Sequence, residues 1–485
     1  ISFTGNSFIG SIDNVSVKEV DPNDNWAVSS DSSISQGFAN IVSSGTYQYI
    51  LQSAILIVGK KYKIQYTILS GSTGDLKLGT SFGVAPITST VGTHSIIATA
   101  LTTDLYIERE TVCNVNITDI SVIEIQENGV PRLDYTNGTA SILLENQSTN
   151  LIPYSQDFSN SAWTKTGVSV TSGFVSPDGS LNADSIVGDG TSGNHYILKQ
   201  FNVVAAQDYT VSIFAKAGTN NFLQVNLGAS PFGSTNYCNF DLSSGIIGSF
   251  GGASFNRFIE PFPNGWYRIG FTATASSTNP ANFFPTLITS STSAFLESNT
   301  LNTSIEIYGA QVEALSYPTS YIPTSGSTVT RAAETLNNAG NSDLINSTEG
   351  VLYIEASVIG LTSTLESISI SDGTYSNAIL FRYFDTSDNQ IQYVVRVGSS
   401  IVSAINFTLS DALAFNKIAL KYTANDFALW VNGTEVGTNT SGTTPSNLNV
   451  LQFNRGDGSG DFHGKCKAVA VFKEALSDTE LACLT

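Results

Sequence analysis

Strict alternation of apolar and polar residues is what most limits the folds open to this chain. In Gly59–Ile68, Tyr62, Ile64, Tyr66 and Ile68 share one face, with Lys61, Lys63, Gln65 and Thr67 on the other. The same rhythm places Tyr209, Val211, Ile213 and Ala215 together in Asp208–Gly218, and Asn264–Ala275 reads as the next clear strand. Near the C-terminus Ile418, Leu420 and Tyr422 alternate, as do Phe427, Leu429 and Val431. Successive side chains of a strand point to opposite faces, so these runs are half-buried strands of sheets. Asn432-Gly433 follows as the favoured dipeptide of a two-residue type I′ hairpin.

Composition extends this reading to the rest of the chain. Its 485 residues allow roughly three or four domains. With 41 glycines and only 13% charged residues, it favours sheets and turns over helices. A net charge of −19 repels phosphate backbones and anionic membranes, so no nucleic-acid partner is expected. Neutral glycans and cation-bridged anionic glycans stay open. No apolar run approaches the roughly 20 residues of a membrane helix, so no membrane insertion is expected. There are no methionines, and Ile1 suggests a fragment or a processed product. Cys113, Cys238, Cys466 and Cys483 have no C-x-x-C spacing, so free buried thiols are expected over zinc ligands or a disulfide framework. Cys466 with Cys483 is the one pairing to test.

Three stretches repeat one pattern: SIDNVSVKEV before Asp21, NITDISVIEI at Asn116–Ile125 and, more loosely, IYGAQVEA at Ile307–Ala314. Each reads as the last strand of a module, so Ile1–Val20 is expected to be a sheet strand whose own module lies elsewhere.

The stretch Pro131–Lys165 carries the clearest family signal. It contains Arg132, Asp134 and Tyr135; then Leu143, Leu144, Glu145, Gln147, Thr149, Asn150 and Leu151; then Tyr154, Ser155, Asp157, Phe158 and Trp163. This pattern, with Ile142 in place of a leucine, resembles the junction that introduces a carbohydrate-binding jelly roll in bacteriophage tail-fibre and other virion surface proteins. Thr319–Glu334 resembles the phrase that closes that module, and GKKYKIQYTI resembles a strand of carbohydrate-binding jelly rolls. The last seventy or so residues resemble a laminin G-like, concanavalin A-like sandwich, ending in a helix that Ser477 and Glu480 cap and Leu476 and Leu481 staple. The resemblances imply an all-β protein of tandem antiparallel β-sandwiches (jelly rolls) followed by a concanavalin A-like sandwich. The expected divisions are a terminal strand at 1–20, a jelly roll at 21–127, a connector at 128–150, a larger jelly roll at 151–323, a linker at 324–347 and the concanavalin A-like domain at 348–485.

No catalytic constellation stands out, since the histidines His94, His195 and His463 fall one per domain and no G-x-S-x-G is present. Trp26, Trp163 and Trp266 near strand starts are expected in cores. Aromatic rings offer flat faces to sugar C–H groups, and amides bond hydroxyls. The candidate glycan contacts are therefore loop residues: His195, Tyr196, Phe232 and Tyr237, with Asn454 and Arg455 in the last domain. Ordinary surface aromatics are the plainer account of the first four. In the glycine-rich loop Asn454–His463, Asp457 and Asp461 are candidate ligands for a structural calcium, the only cofactor expected; a solvated loop is the plainer account. Arg455-Gly456-Asp457 matches an integrin-binding tripeptide by coincidence.

The reading that follows is a non-enzymatic protein of the virion surface (tail fibre, head fibre or spike) that binds host surface polysaccharide or glycan. Other virion proteins are its expected partners. A homo-oligomer is expected, a trimer by resemblance to other fibres, although no heptad stalk is present. A spacer or capsid-decorating protein without ligand, a glycan depolymerase and a secreted adhesin are the rivals. Short polar connectors imply modules that unfold independently.

Overall fold

A computed structural model describes residues 26–35, 37–125, 129, 131–135, 138–233, 235–360, 365–385 and 388–485. The expected strand within Ile1–Val20 lies outside the described residues. The chain forms two compact units, Ile1–Glu127 and Asn128–Thr485. No helix among the described residues is long and apolar enough to cross a membrane.

The first unit is a sandwich of two five-stranded antiparallel sheets. In Lys61–Ile68 the alternation is realised: Tyr62, Ile64, Tyr66 and Ile68 are buried and the residues between them are not. The strand Cys113–Ile125 pairs with both Phe38–Ser43 and Lys61–Ile68, and its register shifts between Thr118 and Ser121. Asp119 takes a positive φ of 51° at that bulge. Ile120 and Val122 both pack against the core.

The second unit contains two sandwiches. The jelly roll packs a six-stranded sheet (Val168–Phe174, Ala183–Gly188, Ser304–Glu313, Asp208–Ala217, Trp266–Thr274, Phe255–Pro261) against a sheet of Thr164–Thr166, Tyr196–Val203, Asn279–Phe283, Phe222–Leu227, Asn236–Asp241 and Ile246–Gly251. Trp163, Phe158, Phe271 and Phe283 fill the space between them. Trp163 and Trp266 are both buried at 1% exposure, and Trp26 packs half-buried against the first unit's core. Each tryptophan thus lies against a core.

The C-terminal sandwich corrects two expected boundaries. Its larger sheet runs Arg132–Asp134, Ser141–Leu144, Gly464–Phe472, Glu349–Val358, Asn416–Thr423, Asp426–Val431, Thr434–Asn439. Two strands of the expected connector at 128–150 are therefore the outermost pair of the last domain's sheet, with Leu143 opposite Lys465. The expected linker at 324–347 also belongs to structured layers. Val329–Arg331 pairs with Ser148–Asn150, Ala339 bridges Leu451, and Ile345 and Leu336 pack in the C-terminal core. The jelly roll is thus inserted into the C-terminal sandwich. Strands of three or four residues are too short to show a period, and their partners lie far along the chain, so local pattern could not find them.

The local signals near the C-terminus hold. Asn432 and Gly433 take φ of 48° and 83°, both positive as a type I′ turn requires. Ser477 and Glu480 form the capping box of Asp478–Leu484, and Leu476 and Leu481 pack in one cluster. The four cysteines are free; three are buried and Cys483 is exposed. Burial pushes the Cys238 and Cys466 thiols up to about 12.

Where the inserted jelly roll leaves and rejoins its host, four charges meet. Arg132 pairs with Glu145 and, at 2.5 Å, with Glu334; Arg331 pairs with Glu145 at 3.1 Å. Glu145 N–H donates to Glu334 Oε2 at 2.8 Å, and Ser320 N–H donates to Glu145 Oε1 at 2.8 Å. The residues that carry the resemblance thus build a clamp. Independent unfolding is accordingly expected of the first unit, while the two sandwiches of the second should melt together. Arg132→Ala leaves Glu334 and Glu145 buried with less compensation. Because Arg132 is itself 40% exposed, the cost should be about 2–3 kcal/mol, below the usual range for breaking a buried pair. Calorimetry should show that loss in the second unit's transition and none in the first; an unchanged second transition would contradict the clamp.

Candidate functional site

The outer face of the jelly-roll sheet that includes Tyr196–Val203 and Asn236–Asp241 gathers the best binding surface. On Phe222–Leu227, Leu223, Val225 and Leu227 point into the core, leaving Phe222, Gln224 and Asn226 outward. Register places Asn226 opposite Tyr237 and Gln224 opposite Asn239, so these four share the outer face. There Tyr196 and Phe284 lie 5.8 Å apart by ring centroid, Phe284 and Phe295 6.0 Å, and Phe295 and Tyr237 5.8 Å. Four rings form one continuous row. Phe284 is buried; the other three are half-exposed.

Polar groups fix that row. Gln224 Nε2 donates to Asn239 Oδ1 at 2.7 Å and to the Ala294 carbonyl at 3.0 Å, while Leu296 N–H donates to Gln224 Oε1 at 3.0 Å. Asn239 Nδ2 donates to the Ser293 carbonyl at 2.7 Å. The loop that carries Phe295 is thereby tied to the sheet, and the ring is held in place before any ligand arrives. Asn226 Nδ2 donates to Thr286 Oγ1 at 2.8 Å and to the Phe284 carbonyl at 3.0 Å. Its Oδ1, like Asn282 Oδ1, finds no donor.

Of the sequence candidates, Tyr196 and Tyr237 thus belong to one row. His195 and Phe232 do not, and both are corrections. His195 is fully buried, its Nε2 3.3 Å from Asp189 Oδ1, and a Cβ added at Gly167 or Gly188 would come within 3.2 or 3.3 Å of its ring. Phe232 packs edge-on to Tyr209 in the core, 6.4 Å between centroids. Both loops turn their rings inward to complete the apolar core, which pattern alone does not reveal. Phe284 and Phe295 were missed; the signal was Phe283-Phe284-Pro285 leading into the polar run that holds Phe295.

Asn454 is a third correction: it is buried, donating to Asn337 Oδ1 at 2.7 Å and accepting from Gly456 N–H at 2.7 Å, so it braces the loop. Arg455 stays at the surface, its guanidinium 4.7 Å from the Tyr375 ring centroid and paired with Asp457 at 2.9 Å. That hydrogen-bonded pairing holds the Asp457 carboxyl below its usual range, whereas burial raises that of Asp461. Among the described residues no group of three or more His, Cys, Asp or Glu side chains gathers as a metal site. Asp457 already has a cation of its own in Arg455, which competes with any metal ion there.

Next to that loop, Glu366 and His463 form a buried pair. His463 Nδ1 lies 3.8 Å from Glu366 Oε1, and His463 N–H donates to Glu366 Oε2 at 3.4 Å. Desolvation raises the Glu366 carboxyl, and the contacts with His463 only partly oppose it.

Residues 359–482 match the family model described as the concanavalin A-like lectin/glucanases superfamily. A search of curated proteins finds no match. Among solved structures, the CBM40 of the Ruminococcus gnavus IT-sialidase is 16% identical over 31% of this chain and 96% of its own, with a TM-score of 0.26. The CBM22-1-CBM22-2 tandem of Paenibacillus barcinonensis Xyn10C is 11% identical over 60% and 94%, with a TM-score of 0.24. Mouse laminin alpha1 domains LG4-5 are 10% identical over 60% and 92%, with a TM-score of 0.20. Likenesses at this level say nothing of function. With the sheets described above, the family match makes the C-terminal sandwich lectin-like in fold.

The Glu366 pair yields a pH prediction. A carboxyl raised in the folded state adds stability below its unfolded value, near 4.5, and loses it as pH rises through the folded value. Glu366→Gln removes that loss. The melting temperature of the variant should therefore gain on the wild type between pH 4 and neutrality; a steady decline relative to the wild type would show the charged pair to be net stabilising.

Proposed function

We propose that this chain is a non-enzymatic glycan-binding protein of a virion surface, a tail fibre, head fibre or spike, that adheres to host surface polysaccharide. The row Tyr196–Phe284–Phe295–Tyr237 is the observation that carries the binding reading. The half-exposed rings of Tyr196, Phe295 and Tyr237 offer apolar faces to a sugar, and the buried amides of Gln224, Asn226 and Asn239 hold the sheet and loop that carry them. The lectin-type family match of residues 359–482 supports it. Placement on a virion is supported by the tail-fibre-like phrase of Arg132–Trp163 and its closing phrase at Thr319–Glu334. Repeated copies on a particle would convert modest single-site affinity into firm attachment, which is why a homo-oligomer and other virion proteins belong to the same reading.

The second reading, a ligand-free spacer, is favoured by one feature: the clamp of Arg132, Glu145, Arg331 and Glu334, which stiffens the junction as a strut requires. A glycan array probed with the multivalently displayed protein separates the two. Binding should appear, and Tyr237→Ala should weaken it about tenfold, the order expected for one lost stacking ring, with the melting temperature kept. No binding at high protein density would favour the spacer. Release of reducing ends from the bound polysaccharide would instead make the protein a depolymerase.

A further inference from the structure

Within the second unit, a cleft of about 770 Å³ opens between the jelly roll and the C-terminal sandwich. Phe258, Phe262 and Arg268 of the jelly roll line one side, and Ser357, Ile359 and Phe415 of the sandwich line the other. Tyr317, from the segment that leaves the jelly roll, also lines it.

Arg268 has no counter-charge. It is only 6% exposed, and among the described residues it forms no ion pair. Nη2 donates to Ser212 Oγ at 3.1 Å, the guanidinium lies 5.7 Å from the Phe214 ring centroid, and Nε has no partner at all. Lys465 holds Asp134 at 2.6 Å and Arg331 holds Glu145 at 3.1 Å, while Arg257, which also lines the cleft, is occupied by the Ser254 carbonyl and the face of the Phe250 ring. Glu260 sits opposite Arg268 in strand register, yet it is exposed and the two do not pair. A buried cation without a partner is costly, and a guanidinium presents a planar fork that fits a carboxylate in two hydrogen bonds. Rings on both sides of the cleft add apolar faces for a sugar.

We propose that this cleft binds a carboxylate-bearing saccharide, the uronic-acid residue of an acidic polysaccharide, with the carboxylate on Arg268. The site is distinct from the aromatic row, and naming a saccharide as the carrier of the carboxylate rests on the glycan-binding reading. Glu260 at the cleft opposes the anion and tunes its affinity downward.

Titration calorimetry on the full chain tests this with a galacturonate tetramer, the same tetramer methyl-esterified, and acetate. The acid should bind at least tenfold more tightly than the ester, and acetate should bind far more weakly than the acid tetramer. Arg268→Met should cost the acid at least tenfold in affinity while the melting temperature holds or rises, because an unpaired buried charge is removed. Glu260→Gln should tighten binding of the acid. Equal binding of acid and ester, unchanged affinity in Arg268→Met, or acetate binding as well as the tetramer would overturn the assignment. If neutral glycans still bind through Tyr237 while the acid does not, the cleft assignment alone falls; if no saccharide binds anywhere, the glycan-binding reading falls with it.

Discussion

Everything downstream of residue 128 depends on one buried ion network. Arg132, Glu145, Arg331 and Glu334 come from the two segments that flank the inserted jelly roll, and they meet where its chain leaves and re-enters the C-terminal sandwich. Glu145 and Glu334 are almost wholly buried, and the two arginines and several N–H donors reach their carboxyl oxygens. The pairing of Ser148–Asn150 with Val329–Arg331 continues the same seam as a two-stranded sheet. Asn150 extends it further, its Nδ2 donating to the Ala310 carbonyl at 3.0 Å and the Ile322 carbonyl at 2.9 Å. Folding of the host sandwich and closure of the insert are therefore one event in space, although nearly 200 residues separate their parts in sequence.

That seam also explains why surface chemistry accumulates where it does. The outer face of one jelly-roll sheet is left to the aromatic row, while the outer face of the other is turned toward the C-terminal sandwich and forms the cleft. The rings of the first face sit on strands or on a loop tied to strands by the Gln224 and Asn239 amides, and Arg268 of the second sits on a strand. In the first, aromatic faces dominate; in the second, a buried guanidinium does. Arg268 lies buried in that cleft without an ion pair, and the exposed Glu260 opposite it in register does not neutralise it.

The sequence by itself determined the strands, because the period of a pleated strand is a local property. Tyr62 to Ile68, the Asn432-Gly433 turn and the Ser477–Glu480 cap all lie where spacing put them. It also determined that Tyr196 and Tyr237 were worth attention. Only the tertiary structure decided which aromatics share a surface: it turned His195 and Phe232 into the core and brought Phe284 and Phe295 between the two tyrosines. Likewise only the tertiary structure made two apparent connectors into strands and core residues of the last domain. The reason is the same in each case. Burial and pairing are set by partners elsewhere in the chain, from Tyr209 against Phe232 to Lys465 opposite Leu143, and a three-residue strand or a single ring carries no local signal of who those partners are.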